Sequence, residues 1–452
     1  MCLACLVGML ASCSGSDYLN AIPKKSTALI SVDMQQMASD IHAEDKAGML
    51  KSLLHVEDVD KCGIDITEKM YLFESADGNL GLCAKVSSES DVEDWLASLA
   101  KQHIASEVKE RKGFHFAVLK DSWLVGFSDQ ALLVMGPVVA DAQAQLQQQM
   151  VRYLKAEEEE GITVSPLFER LQTITSPMAM VAQAQALPEK FIAPFTLGAP
   201  KDTDPSQVVI AAEMNVKDGI LQIHGETFSF NKTIDAALKK AAQTYHPIKG
   251  AYVKSMPGDA LAGIFMNVKG EQFLPMMQSN SSLQTLLMGI NQAVDMDNII
   301  RSVDGDMAIV MPTLGDADLK IMMAAKLAHS KWLGDVDYWK KSCPPGAKIA
   351  NWAKNAYFYT DGKTSFYFGV TDDKQFFSGS DELTAQYAVK PSNHPIDAKI
   401  QKLIVGQKLA MVINLAKSSD GSGTGKDDAI STVTGLLAPV FGNLTSVVYT
   451  LK

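Results

Sequence analysis

A short stretch near the start of the chain, Ile22-Pro23-Lys24-Lys25-Ser26-Thr27-Ala28-Leu29-Ile30-Ser31-Val32-Asp33, returns as Met256-Pro257-Gly258-Asp259-Ala260-Leu261-Ala262-Gly263-Ile264-Phe265-Met266-Asn267, about 230 residues further on. In both copies a proline turn leads into an extended run. Ala28, Ile30 and Val32 share one face, and Ala262, Ile264 and Met266 take the matching places. The pattern predicts a buried strand used twice, which restricts the chain to folds that tolerate an internal duplication.

Further landmarks recur in the same order. Residues 69–75 and 80–86 flank Asp77-Gly78 and read as a hairpin, because glycine tolerates the positive φ of such a turn. Residues 302–311 and 319–325 take their places in the second half. Ser90-Asp91-Val92-Glu93 predicts a capping box opening a helix with Trp95 and Leu96, matched by Trp332-Leu333. Strands at 113–120, 122–128 and 132–136 match 356–360, 364–371 and 375–378. Ser165-Pro166 then matches His394-Pro395, and Ala179-Met180-Val181 matches Ala410-Met411-Val412. A long amphipathic helix is expected at 138–160, with a much shorter counterpart around 381–389. The first half closes with a hairpin, 207–216 and 219–230, turned at Lys217-Asp218-Gly219, while the second reaches only 445–451. Either another segment supplies the last strand or the sequence is incomplete at that end. The fold expected is α+β, with two tandem homologous modules, each a mainly antiparallel sheet flanked by helices. They occupy 18–246 and 247–452, with the boundary near 245–250.

The chain begins with the uncharged apolar run 1–10, followed by Leu10-Ala11-Ser12-Cys13. This matches a bacterial lipobox: an apolar export segment, small residues for the peptidase, and a thiol that receives diacylglycerol. Residues 1–12 are read as a signal peptide, Cys13 as the lipid attachment site and 13–17 as a polar tether. The usual basic flank is missing, since no Lys or Arg precedes Lys24. No other apolar run approaches the roughly 18 residues of a membrane span. With Lys+Arg 41 against Asp+Glu 52 and a net charge of −11, the composition argues against nucleic acid and against electrostatic docking on anionic lipid. Membrane contact is expected through the lipid alone. Of the cysteines, Cys62, Cys83 and Cys343 remain free after processing and lipidation, and buried free thiols are favoured over a Cys62–Cys83 bridge because Cys83 sits in an apolar strand.

No catalytic, cofactor or metal signature emerges. Asp420-Gly421-Ser422-Gly423-Thr424-Gly425-Lys426-Asp427 resembles a phosphate loop but has Asp420 for the first glycine and Asp427 for the magnesium-binding hydroxyl, so it reads as a linker. His42, His55, His103, His115, His224, His246, His329 and His394 form no metal-binding spacing. The pairs Asp304/Asp306, Asp316/Asp318 and Asp335/Asp337 lack the ladder of a calcium loop and are assigned to turns and caps. The 22 methionines, including Met276-Met277 and Met322-Met323, read as core filling ahead of a pliable apolar pocket.

Together the lipobox, the tether, the Ile22-Pro23 strand ending Val32-Asp33, the Gly63-Ile64-Asp65 hinge and the Trp95-Leu96 helix resemble a family of large uncharacterised lipoproteins from Bacteroidetes. The resemblance spans nearly the whole mature chain and implies an exported, lipid-anchored α+β protein without a catalytic residue to transfer. Asp17 is the tether's single acid, which favours the periplasmic side of the outer membrane over the cell surface. The expected function is non-catalytic: binding of a protein partner or a small apolar or peptide ligand. The alternative is an envelope enzyme, hydrolase-like, with a site assembled from residues distant in sequence.

Overall fold

A computed structural model describes residues 15–39, 51, 58–187, 189–280, 293–312, 320–363, 365–415 and 444–451. The signal segment, Cys13, residues 40–50 and 52–57 and the glycine-rich stretch 420–427 lie outside them. The chain forms two compact units, Met1–Val181 and Ala182–Lys452. That division follows packing, whereas the boundary expected near 245–250 concerns sequence repetition.

In the first unit the elements are β1 (Ala28–Val32), α1 (Met34–Ser39), β2 (Met70–Glu74), β3 (Leu80–Lys85), α2 (Glu89–Lys101), β4 (Lys109–Arg111), β5 (Phe114–Leu119), β6 (Trp123–Phe127), β7 (Ala131–Gly136), α3 (Gln143–Leu154), α4 (Pro166–Gln172) and β8 (Met178–Gln183), the last reaching the division. Pairing gives the strand order β8-β1-β2-β3-β7-β6-β5-β4, antiparallel from β1 to β4. The opening strand is covered on both faces rather than on the expected one alone. Of the expected face Val32 is buried and Ala28 and Ile30 are half-buried, and on the other face Leu29 and Ser31 are buried, because β1 lies between β2 and β8 with α4 against it.

Helix α2 also starts earlier than the expected cap at Ser90. Ser88 Oγ accepts the Asp91 N–H at 3.3 Å, and the Ser90 hydroxyl only shares a 3.2 Å hydrogen bond with it. Gly63 fixes this start, since its carbonyl takes the amides of Ser87 at 2.8 Å and Ser88 at 3.3 Å. Its φ is +73°, and a Cβ there would stand 2.4 Å from Ser88 O and 2.5 Å from Val92 N. Gly63→Ala should therefore destabilise the first unit by about 2 kcal/mol, read as a fall of several degrees in its thermal transition; an unchanged transition would show that the loop relaxes freely.

The helix expected at 138–160 is shorter at both ends. A 3-10 turn, Ala140–Ala142, precedes α3, and Glu157–Glu160 lie beyond it. Four adjacent carboxylates at a helix C-terminus oppose the macrodipole and repel one another. Val139, inside the expected helix, is 73% exposed, whereas Leu146 and Met150 are buried.

In the second unit α5 (Glu189–Thr196), β9 (Val209–Lys217), β10 (Ile220–Phe228) and α6 (Lys232–Ala242) are followed by β11 (Ala262–Lys269), α7 (Gly270–Ser279), α8 (Met296–Arg301), β12 (Val303–Met311), β13 (Met322–Leu327), α9 (Val336–Lys341), β14 (Lys348–Ala353), β15 (Ala356–Thr360), β16 (Ser365–Val370), β17 (Gln375–Gly379), α10 (Glu382–Tyr387), α11 (Ala398–Ile404), β18 (Leu409–Asn414) and β19 (Ser446–Leu451). The strand order is β9-β10-β19-β18-β11-β12-β13-β17-β16-β15-β14. All pairs are antiparallel except β10 with β19, which run parallel from Ile220 beside Ser446 to Gly225 beside Leu451. Strand β19 thus lies between β18 and β10, and its second neighbour comes from the hairpin that precedes the second opening strand.

Both faces of this sheet are covered. Met266 and Val268 of β11 join Met307, Phe368 and Phe376 in a core under α7, α8 and Trp332. Phe265, directly before Met266 in sequence, joins Ala308, Val310 and Phe377 on the opposite face with Ala385 of α10 and Ile400 of α11. This is the period-two alternation of a strand with two apolar faces. Trp332 is fully buried, stacked at 6.0 Å and 8° on Trp339 and packed against Phe368 and Phe376. The sequence match of Trp332 to Trp95 does not carry over to burial: in the first unit Leu96 is the buried residue and Trp95 is half-buried. The segment around Trp332 is a 3-10 turn, Lys331–Asp335, rather than an α-helix like α2, so neighbouring positions face inward.

Asp306 is buried and belongs to neither a turn nor a cap. Its carboxylate accepts the Lys249 and Ala251 amides at 2.9 and 2.8 Å and the Asn267 side-chain amide at 2.9 Å. Asn267 also donates to the Pro247 carbonyl at 3.1 Å. At the matching sequence position Asp33 instead accepts the Gln36 amide at the start of α1.

Candidate functional site

A cleft of about 680 Å³ opens in the second unit beside the proline turn of the repeated motif. Its floor is Pro257, Gly258 and Asp259 with Ser392–Pro395. The two segments run antiparallel: Gly258 N–H donates to the His394 carbonyl at 2.7 Å, and the Ser392 and Ile396 amides donate to Lys254 at 2.9 Å and Met256 at 3.0 Å. Asn414 ties the turn to β18 through a 2.8 Å bond to the Gly258 carbonyl.

One wall is α10. Asp381 caps it by accepting the Thr384 amide at 2.8 Å, and Lys320 approaches the same carboxylate at 3.2 Å. Burial pushes the Asp381 carboxyl up, but the Thr384 hydrogen bonds and Lys320 outweigh it and hold the group below the usual carboxylate range. Leu383 and Tyr387, one helical turn apart, stand at the cleft with 64% and 50% of their surface exposed. Pro312 and Met322 complete the apolar lining. In the first unit the helix after β7 is α3, which is longer and packs on the 3-10 turn Asp17–Ala21. Two apolar side chains one turn apart on a six-residue helix are the sequence signal for this cleft, and the sequence reading passed over them.

The cleft also holds Ser255, Asp259 and His394, but Ser255 is buried and its hydroxyl donates to the Tyr252 carbonyl at 2.8 Å. Strongly raised pKa values occur in the cores instead. Burial drives up Tyr18, Tyr245, Tyr252, Tyr449 and the Cys83 thiol, and pushes Tyr71 up to about 12. None of these lines the cleft. Desolvation of a core hydroxyl is a packing effect rather than preparation of an acid or base.

The sequence-predicted candidates are dispersed. His224 bonds Thr450 at 2.8 Å, His115 pairs with Glu89 at 3.2 Å, and only His394 reaches the cleft. Asp335 and Asp337 bond Asn298 at 3.3 Å and Lys340 at 3.1 Å, while Asp316, Asp318, His42 and His55 lie outside the described residues. Among the described residues no group of His, Cys, Asp and Glu is placed to hold a metal, and no helix is long and apolar enough to cross a membrane. Met276 and Met277 are core residues, whereas Met322 is both core and cleft wall. Cys62 and Cys83 are buried free thiols and Cys343 is a half-buried one.

A family model described as DUF4836, a domain of unknown function, matches residues 32–400. The chain belongs to this family. No curated protein matches the sequence of this DUF4836 member. Among solved structures, crystal form IV of TP0453 aligns with a TM-score of 0.28 and 10% identity over 44% of this chain and 76% of that one. Crystal form III of TP0453 gives 0.24 and 8% over 82% and 96%. Similarity at this level transfers neither fold nor function to the DUF4836 chain.

Proposed function

We propose that this DUF4836 protein is a non-catalytic binding protein of the bacterial cell envelope, anchored by lipid at Cys13 and facing the periplasm, and that the cleft beside α10 is where its ligand or partner sits. The observation that carries the binding reading is the cleft itself: apolar walls at Pro257, Pro312, Met322 and Pro395, with Leu383 and Tyr387 left exposed on a helix too short to bury them. The same reading includes two tandem homologous modules. Its support is the repeated sequence together with the like strand orders β8-β1-β2-β3-β7-β6-β5-β4 and β18-β11-β12-β13-β17-β16-β15-β14. No observation favours the envelope-enzyme alternative, since the cleft's buried serine is committed to a backbone carbonyl.

The cleft is tested with the fluorophore bis-ANS on the full chain. Leu383→Asp should remove most of the fluorescence gain while leaving stability within about 0.5 kcal/mol, as expected for an exposed site; a variant that binds the dye as well as the parent would overturn the assignment. Lipidation is tested separately. Cys13→Ser should release the protein from the membrane fraction and abolish fatty-acid labelling, and retained labelling would refute the anchor.

A further inference from the structure

The cleft beside α10 has a volume of about 680 Å³, inside the range of roughly 300–1,000 Å³ in which pockets enclose a single small ligand. We infer that its occupant is the hydrocarbon chain of a fatty acid, with the polar end of the ligand left in water. This rests on the binding reading of the cleft and adds the chemistry of what is bound.

Hydrogen bonding inside the lining selects that chemistry. The Ser255 hydroxyl donates to the Tyr252 carbonyl at 2.8 Å, and the Thr384 hydroxyl donates to the Asp381 carboxylate at 2.7 Å. Ser392 Oγ accepts the His394 amide at 3.2 Å. Both backbone polar groups of Gly258 are used, the N–H by the His394 carbonyl and the carbonyl by Asn414, and Asp259 has a partner of its own. Pro257, Pro312 and Pro395 have no N–H to offer. A peptide or a sugar carries donors and acceptors along its whole length, and each one left unpaired against this surface weakens binding. A hydrocarbon chain has none to lose, and Leu383, Tyr387 and Met322 give it apolar surface to cover.

Charge and exposure place the other end of the ligand. Among the described residues lining the cleft there is no Lys or Arg, so no ion pair holds an anionic headgroup inside. Asn393 and His394 are exposed, and a carboxylate beside them keeps its water. Binding is therefore driven by the chain and nearly indifferent to the headgroup.

The test is titration calorimetry of the full chain with saturated fatty acids from octanoate to hexadecanoate. Affinity should rise about fourfold for each added CH₂ until the cleft is filled, and then level off. The alcohol of the same length as the tightest-binding acid should bind within about threefold of it, since the two bury the same chain. Leu383→Asp should weaken that acid about tenfold, because a charge replaces part of the apolar wall. Absence of binding, affinity independent of chain length, a preference of more than about tenfold for the acid over the alcohol, or equal binding to Leu383→Asp overturns the proposal. Any of these with the bis-ANS gain still removed by Leu383→Asp leaves the cleft standing as a site for another ligand. A dye signal that also ignores Leu383→Asp would overturn the underlying reading.

Discussion

Asp306→Ala should destabilise the second unit by about 3–5 kcal/mol, the scale for removing one side of a buried charged hydrogen-bond cluster. The carboxylate accepts three N–H groups at 2.8–2.9 Å, from Lys249, Ala251 and Asn267. Without it, two part-buried backbone amides and the buried Asn267 side chain lose their acceptor. The loss is also local, because two of the donors belong to the segment that leads into the second proline turn. Amide hydrogen exchange at Lys249 and Ala251 should therefore rise well before global unfolding, and Asp306→Asn, which keeps an acceptor oxygen, should lose less. Unchanged protection at these two amides would show that the cluster does not hold the segment.

Trp332→Ala should cost about 3–5 kcal/mol, the upper range for emptying an aromatic core position. Trp332 lies between Trp339, Phe368 and Phe376 with ring centroids 6.0–6.3 Å away, and it is fully buried. Its indole N–H has no hydrogen-bond partner, so its contribution comes from area and ring packing. Trp332→Phe should accordingly cost much less than Trp332→Ala in chemical denaturation of the second unit. Trp95→Ala, at the matching sequence position but half-buried, should cost less again. Equal losses at 95 and 332 would mean that the sequence match, rather than the observed burial, describes the packing.

Legibility in the sequence depended on whether a signal was local. The Asp77-Gly78 hairpin, the strands around 113–136 and 356–378 and the turn at Lys217-Asp218-Gly219 were all readable, because turn chemistry and alternation act over a few residues. The start of α2 was not, since Ser88 is held by the Gly63 carbonyl from 25 residues away. The extent of α3 was overestimated because an apolar stripe says nothing about whether a partner surface reaches its ends. The cleft was visible only as exposed apolar residues on a short helix. The turn floor that completes it joins residues near 257 to residues near 394.

The sequence by itself determined the repeated opening strand, the α+β character and the acidic balance, since each follows from local periodicity or composition. Tertiary structure decided that both faces of that strand are covered, that Trp332 rather than Leu333 enters the core, that β10 runs beside β19, and that Asp306 anchors the segment before Pro257. Those outcomes depend on which surfaces distant in sequence meet, or on buried polar groups finding partners, and neither is encoded in any short window of the chain. The proline turn that opens the second copy thus has two parts in the molecule, as the lead into a core strand and as the floor of its candidate binding groove.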